Sequence, residues 1–593
     1  MTERSRNSSS WSAPISRRSL LAKGGAVALG ASLAGGLDLS GLASAAGTGR
    51  VRRPDYLPDP RRAMGEPTDA LPFEHIVIVM QENHSFDSYL GMLSRHGQPL
   101  ADGFTFDANG VPMNSNPYEK GYVRVQHAAT DCTPNGEGSQ SWNDTHLQIA
   151  DGKMDGFAVT GVDSMLYWDQ SDHPFYYSLA NTFCLANRWF CSAPCQTYPN
   201  RRFLQAGTAF GLISTDTSTI FEYPPNGTIW DRLDAAKVSW ANYFSDLPTT
   251  GIIAKTIEKY PQNITPIAKF YADCAAGTLP SVSMVDSDEG VVSDLSGLAQ
   301  ALGSVPGYPN GFTPSNINQD EENGNTSEGE NFVSGVVNAV LSSPLWPNIL
   351  LVWLYDEHGG NYDHVPPPAA PLPDNIAPIL ASGDQPGTYG MYGPRVPAVV
   401  VSGYAKPHAV TNVVHDHTSI LATIEEKWNI APMTHRDAQA ASLADFLVTG
   451  EATFPEPPKL AAPSSLTGTQ DVCTNAPLNY VVYPNSTAAG ASAPAATKAL
   501  DALSVVTVAR HSNRLAVKLR VRHAALRDVE VELLHGKTRE AVTRLAKLAV
   551  GEHTVFLEHR GLKAGRYEIL VKAGGKTLLS RTERLTAAPA VAA

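Results

Sequence analysis

At 593 residues, with 42% hydrophobic and 17% charged side chains, the chain has the composition of a globular protein and is too long for one ordinary core. Its formal charge of −13 excludes general nucleic-acid binding, which needs a basic face, and leaves a membrane surface open only through a local patch. One enzyme-sized domain plus a smaller module is expected.

Residues 1–45 read as a targeting segment. Ser16-Arg17-Arg18-Ser19-Leu20-Leu21 is a twin-arginine pattern, followed by a weakly apolar Gly/Ala stretch from Gly24 to Leu42 and the small-residue site Ala43-Ser44-Ala45. Asp38 and the abundant glycine argue against an uncleaved membrane helix. The signal resembles the bacterial Tat type, so a folded protein is expected to be exported, with a mature N-terminus near Ala46 and a secreted, extracellular location. The six cysteines, Cys132, Cys184, Cys191, Cys195, Cys274 and Cys473, suit occasional disulfides or buried thiols. Cys184, Cys191 and Cys195 match no standard zinc spacing.

From Phe73 to about Phe454 short β-branched runs alternate with amphipathic stretches, the pattern of an α/β domain around a largely parallel sheet, assigned to residues 70–485. His75–Met80 is a continuous apolar run, as expected of a central strand, and it ends in Gln81-Glu82-Asn83-His84-Ser85-Phe86-Asp87. In an open α/β sheet ligands sit at the carboxyl ends of strands, which points Glu82 and Asn83 into a cleft. A plain helix cap would use Asn83-His84-Ser85 equally well.

Next comes the loop Pro194-Cys195-Gln196-Thr197-Tyr198-Pro199-Asn200-Arg201-Arg202, leading into a helical stretch from Phe203 to Gly207. A hydroxyl at such an entrance, with arginines beside it, can receive a phosphoryl group, although Thr197 alone would also read as an N-cap. A threonine alkoxide needs help at neutral pH, and metal coordination is one way to supply it. Asp286 to Glu330 is polar and Gly/Asn-rich, an expected active-site loop, and Asn331–Leu341 has helical spacing.

Ile349–Leu354 is the second central strand, followed by Tyr355-Asp356-Glu357-His358-Gly359-Gly360-Asn361-Tyr362-Asp363-His364. Two adjacent carboxylates at a strand end are costly unless a cation or proton resolves them. Glu82, Asn83, Asp356 and Glu357 form an oxygen-rich set suited to a hard or borderline divalent ion. Val396–Val401 predicts a third strand, with its proline near the start. Ser419–Trp428 predicts a helix beside His415-Asp416-His417-Thr418.

Ser486–Thr497 is a Ser/Ala/Gly/Pro linker, and residues 498–593 alternate apolar and polar positions at Leu515-Val517-Leu519, Val529-Val531-Leu533 and Tyr567-Ile569-Val571. This predicts a small antiparallel β-sandwich. It holds 18 Lys and Arg against 9 Asp and Glu, about +9, so the remainder carries about −22. An anionic lipid surface is one expected partner of such a module, and an ordinary solvated surface is the alternative.

Together the Glu82-Asn83, Thr197 and Asp356-Glu357 segments resemble a bacterial and plant phosphoesterase family that contains non-specific and phosphatidylcholine-preferring phospholipases C and an acid phosphatase. Further matches are Gly152-Lys153-Met154-Asp155-Gly156-Phe157, Leu279-Pro280-Ser281-Val282 and Asp416-His417-Thr418-Ser419. The resemblance implies an alkaline-phosphatase-like, mostly parallel sheet with helices on both faces. It implies one divalent metal ion, calcium or another hard or borderline cation, held by Glu82, Asn83, Thr197, Asp356 and Glu357. Thr197 would be both ligand and nucleophile, passing through a phospho-threonine. Asn200, Arg201, Asp416 and His417 would bind substrate, and His146, His358, His364 or His417 would hold or move a proton.

Two positions depart from the family pattern. Gln140-Ser141-Trp142 and Glu321-Glu322-Asn323-Gly324 stand where the family usually has histidines. The expected activity is that of a metal-dependent phospholipase C, cleaving glycerophospholipid to diacylglycerol and a phosphorylated head group. A broad-specificity acid phosphatase using the same site, and a non-catalytic surface-binding protein with a decayed site, are the alternatives.

Overall fold

The computed structural model describes residues 52–132, 139–287, 325–466, 479–484, 497–499 and the strands between 503 and 585. The targeting segment, Cys473, nearly all of the 486–497 linker and Glu321–Gly324 lie outside the described residues.

The larger part is organised on an eight-stranded sheet. In chain order its elements are β1 (His75–Gln81), α1 (Phe86–Leu90), α2 (Trp142–Ile149), α3 (Pro174–Thr182), β2 (Cys184–Ala186), α4 (Thr197–Ala206), α5 (Ile229–Ala236), β3 (Trp240–Phe244), β4 (Ile264–Pro266), β5 (Val282–Asp286), α6 (Thr326–Leu341), β6 (Ile349–Tyr355), β7 (Ala398–Ser402), β8 (Ala409–Thr411) and α7 (Thr418–Lys427). The strand order is β8-β2-β7-β6-β1-β5-β3-β4. Neighbours are parallel except where β7 pairs with β6 and with β2, so one strand runs against the rest.

The predicted central strands are central because they are apolar on both faces. All seven residues of β6 and all five of β7 are buried, as are six of the seven in β1, and burial of whole strands needs cover on each side of the sheet. Pro397 stays just outside β7, where its missing N–H removes no ladder bond. The helices predicted from Asn331 and Ser419 begin earlier, at Thr326 and Thr418.

The helix expected from Phe203 begins six residues sooner, at Thr197. Pro199 reads as a helix stop in the sequence, yet in a first turn its absent N–H has no partner to lose.

Residues 503–585 form two antiparallel sheets. One contains β9 (Leu503–Arg510), β10 (Arg514–Val521) and β13 (Gly551–Glu558); the other contains β11 (Leu526–His535), β12 (Thr538–Leu548), β14 (Gly565–Ala573) and β15 (Lys576–Leu585). Their inward side chains, Leu515, Val517 and Leu519 with Val529, Val531, Leu533, Tyr567, Ile569 and Val571, make a core of their own, which is the predicted sandwich. On the outward side of β11, Glu530 and Glu532 pair with Arg539 and Arg544 of β12, and Glu532 also pairs with Lys572 of β14.

Cys132 is disulfide-bonded. Cys184, Cys191, Cys195 and Cys274 are buried free thiols, and among the described residues no metal-capable cluster contains a cysteine. No helix of the described residues is long and apolar enough to cross a membrane.

Candidate active site

The register of the sheet brings the acidic segments together. Gln81 pairs with Tyr355 at the ends of β1 and β6, so Glu82 and Asp356 leave adjacent parallel strands side by side, and Asp356 N–H donates to the Gln81 carbonyl at 2.9 Å. Asn83 then turns with φ 73°, a conformation Asn tolerates better than most residues. Its carbonyl presses against Gly359 (φ +61°), where a Cβ would sit 2.0 Å from that oxygen. Gly359 is therefore required by close backbone approach, and Gly360 follows it with φ 76°.

Helix α4 delivers the hydroxyl. Thr197 is its first residue, and Gln196 precedes it without a side-chain cap, which leaves first-turn N–H groups facing outward. Thr197 Oγ1 donates to Glu82 Oε1 at 2.7 Å. One turn later Arg201 projects from the same face. Its Nε donates to Asp356 Oδ2 at 2.9 Å, its Nη2 to Glu82 Oε2 at 3.3 Å and its Nη1 to Thr249 Oγ1 at 3.0 Å. Thr249 in turn donates through Oγ1 to Asp286 Oδ1 at 2.7 Å, and its backbone N–H to Asp286 Oδ2 at the same distance. Asp286 ends β5 as Glu82 follows β1, so an acid at the end of an apolar strand was the readable signal for it.

All these groups are buried. Burial and the Glu82 carboxylate push the Asp356 carboxyl upward, against the pull of Arg201. Glu357 Oε2 accepts from Gly359 N–H at 2.9 Å and lies 3.3 Å from His358 Nδ1. Among the described residues, the groups whose ligand atoms already lie within 4.8 Å of one another are Asp87-Asp363-His364 and His127-Asp169-Asp172. The predicted set is not among them; Glu82 and Asp356 share Arg201 instead.

The remaining predicted residues divide by what they touch. His417 Nε2 donates to the Asp356 carbonyl at 2.6 Å while its Nδ1 accepts from Trp189, and burial lowers it to about 4, so it is a neutral brace of the acidic turn. His358 bonds Gln148 Oε1 at 2.7 Å and is lowered to about 3 by burial. Asn200 faces its own loop, accepting from Ala193 N–H and donating to the Cys195, Gln196 and Ala193 carbonyls. Asp416 accepts from Ser192 and Thr418 and lies 3.6 Å from Arg436.

His146 on α2 bonds the Trp142 carbonyl through Nδ1 at 2.7 Å, and burial lowers its pKa. His364 lies apart from Thr197, between Asp87 (2.7 Å) and Asp102 (3.4 Å); burial pulls its pKa down, but Asp87 and Asp102 outweigh that and raise it to about 10. Asn83 Oδ1 accepts from Gln140 Nε2 at 3.5 Å, which sets one of the two departing positions beside the acidic turn.

A buried hydroxyl at a helix start, bonded to one carboxylate and faced by others and a guanidinium, is a site built to handle a transferable anionic group. The family model described as the Phosphoesterase family matches residues 73–431, and the chain belongs to that family. It is a phosphoric ester hydrolase. Non-specific phospholipase C1 of Arabidopsis thaliana is 29% identical over 408 residues, covering 63% of this chain and 71% of the plant protein. A non-hemolytic phospholipase C of Pseudomonas aeruginosa is 26% identical, covering 67% and 60%, and phospholipase C A of Mycobacterium tuberculosis is 27% identical, covering 66% and 79%. A solved alkaline phosphatase superfamily protein from Vibrio parahaemolyticus aligns over 60% of this chain and 79% of its own at 10% identity and a TM-score of 0.28; the fold described above rests on the sheet itself.

Proposed function

We propose that the protein is an exported phospholipase C that attacks the phosphodiester of a glycerophospholipid with Thr197. The observation carrying this reading is the 2.7 Å bond from Thr197 Oγ1 to Glu82 Oε1 at the first turn of α4. Glu82 takes the hydroxyl proton as Oγ1 forms its bond to phosphorus, and the diacylglycerol oxygen leaves as its bond to phosphorus breaks, taking up a proton from water. First-turn amides of α4 and Arg201 hold nonbridging oxygens. Water then hydrolyses the phospho-threonine and releases the phosphorylated head group.

The donor set fits a divalent cation. Glu82 and Asp356 put two buried carboxylates beside one guanidinium, and buried Glu357 follows Asp356 directly in the chain, an excess of negative charge made of oxygen ligands. With the Asn83 amide and Thr197 they would hold the ion, which when bound acts as a Lewis acid toward the hydroxyl and the phosphoryl oxygens. Acid quenching during turnover of phosphatidylcholine, followed by peptide mass spectrometry, tests the reading. A phosphorylated head group esterified to Thr197 supports it, and the same adduct on any other residue removes it. Head-group release from phosphatidylcholine measured beside hydrolysis of an aryl phosphate monoester separates it from the acid-phosphatase alternative.

The Tat-type segment supports export, tested by whether Arg17→Lys with Arg18→Lys retains the protein in the cell. The basic 498–593 module supports contact with anionic lipid through exposed groups such as Arg527, Lys547 and Arg566. Deleting it should lower activity on anionic vesicles more than on a soluble aryl phosphodiester, and added salt should mimic the deletion. Equal losses on both substrates would sink the membrane role.

A further inference from the structure

The two acidic turns share more than a sheet register. Beyond Glu82-Asn83, the first turn returns Asp87 into the interior, and beyond Asp356-Glu357 the second returns Asp363 and His364. Both reach one guanidinium, Arg395, on the segment entering β7. Arg395 Nε donates to Asp363 Oδ1 at 2.9 Å and Nη2 to Asp363 Oδ2 at 3.0 Å and Asp87 Oδ1 at 3.2 Å. Nη1 donates to the Asp102 and Asn187 carbonyls, both at 3.0 Å, and the guanidinium lies over the Phe86 ring at 4.2 Å. His364 closes the network, with its N–H and Nδ1 on Asp87 Oδ2 at 2.9 and 2.7 Å. Two further bonds join turn to turn: Ser85 Oγ to the Tyr362 carbonyl at 2.6 Å, and Asn361 Nδ2 to the Asn83 carbonyl at 2.9 Å.

We propose that Arg395 is a positioning residue, a permanent internal cation that ties the two acid-bearing turns together and so fixes the separation of Glu82-Asn83 from Asp356-Glu357. The ligand atoms of Asp87, Asp363 and His364 lie within 4.8 Å of one another, and Arg395 meets this group with a charge that cannot dissociate or be deprotonated. The guanidinium makes its bonds in a fixed fork, so it sets distance and angle as well as charge. Lysine keeps the charge but not the fork. Arg395 touches neither Thr197 nor Arg201 in any bond described above, so its effect on the reaction passes through the turns.

The inference rests on the divalent-ion reading of the site only for its binding arm. Wild-type, Arg395→Lys and His364→Gln full-length proteins are compared in circular dichroism, in calorimetric binding of Mn2+ alone, and in turnover of a soluble aryl phosphodiester. Arg395→Lys should fold, lose roughly 10- to 100-fold in kcat with KM changed less than about twofold, and bind Mn2+ about tenfold more weakly, as expected when catalytic groups are displaced rather than removed. His364→Gln should move kcat and Mn2+ affinity the same way by about threefold, with the shape of the kcat–pH profile kept, since a proton-transfer role would instead remove a limb of that profile. Wild-type kcat in a folded Arg395→Lys protein, or a loss carried by KM, overturns the proposal. Should Arg395→Lys fail to fold, His364→Gln decides, and an unchanged kcat overturns it. If the wild-type protein binds no Mn2+, the ion reading fails while the kcat arm still decides the role of Arg395.

Discussion

Thr197 is buried and makes its described side-chain bond to Glu82. Replacing it with alanine costs one hydrogen bond, about 1 kcal/mol, and removes the only atom asked to form the covalent bond. Thr197→Ala should therefore melt within a few degrees of the parent and show no turnover above background. Near-normal activity in that variant would take the nucleophile away from Thr197. Asp356 behaves differently because Arg201 depends on it. Asp356→Asn leaves a buried guanidinium with weaker pairing, a class of change that costs about 3–5 kcal/mol, and it removes one of three carboxylates. The expected result is a lower melting temperature together with metal content well below that of the parent by elemental analysis. Full stoichiometric metal in a folded variant would place Asp356 outside the ligand set. Asn200 separates a loop brace from a substrate contact. Its four bonds to the 193–196 backbone make Asn200→Ala a stability change of about 3 kcal/mol, read as a drop in melting temperature with little change in the inhibition constant for phosphate.

At the scale of elements, β1, β6 and β7 were legible because continuous apolar runs bounded by polar turns leave few alternatives to a strand covered on both faces. The acids at their ends were legible for the same reason, since a run of apolar side chains that stops abruptly before Glu82 or Asp356 marks the rim of the sheet. The start of α4 was not, because Pro199 is a breaker in the interior of a helix and harmless in its first turn. Nor could the sequence divide its histidines. His358, His364 and His417 all lie beside acids in the chain, but only tertiary contacts show that His417 spends its Nε2 proton on the Asp356 carbonyl and that His364 belongs to Arg395 and Asp87. Arg395 gave no signal at all, as a single arginine before a strand looks like a surface charge until the turns that meet it are folded. Gly359 is the most exposed point of this scheme to substitution. With φ +61° and a Cβ 2.0 Å from the Asn83 carbonyl, Gly359→Ala should destabilise by about 1–3 kcal/mol from backbone strain alone. A melting temperature unchanged from the parent would show that the two turns can part.

For the whole molecule, two titrating groups each lower stability as pH rises, in separate windows. Burial raises the Glu330 carboxyl from 4.5 to about 7, although the Ser464, Phe175 and Tyr176 N–H groups pull the other way. The folded state therefore holds a proton that the unfolded chain releases, and stability should fall by about 3 kcal/mol as pH rises from about 4.5 to about 7. Glu330→Gln should flatten that slope in urea titrations across the window, and an unaltered slope would assign it elsewhere. His364 is raised from 6.5 to about 10 by Asp87 and Asp102 despite its burial. Its contribution is complete below pH 6.5 and is lost as pH climbs through 10, so His364→Gln should remove an alkaline loss of stability and leave the acid side untouched.

The reversed direction of β7 has a further consequence. In a purely parallel sheet, a chain leaving the catalytic rim must travel to the opposite edge before its next strand. Here the chain leaves β6 at Tyr355 and enters β7 at Ala398 on the same rim. Residues 356–397 are thus an excursion that starts and finishes on one rim of the sheet, with Asp356 bonded to Arg201 near one end and Arg395 bonded to Asp87 and Asp363 near the other. Its Pro-rich middle is pinned to the rest of the domain, Arg436 donating to the Pro371 and Tyr389 carbonyls and Trp142 to the Gln385 carbonyl, so a substitution there is transmitted to α2 and to Arg436 without passing through a strand.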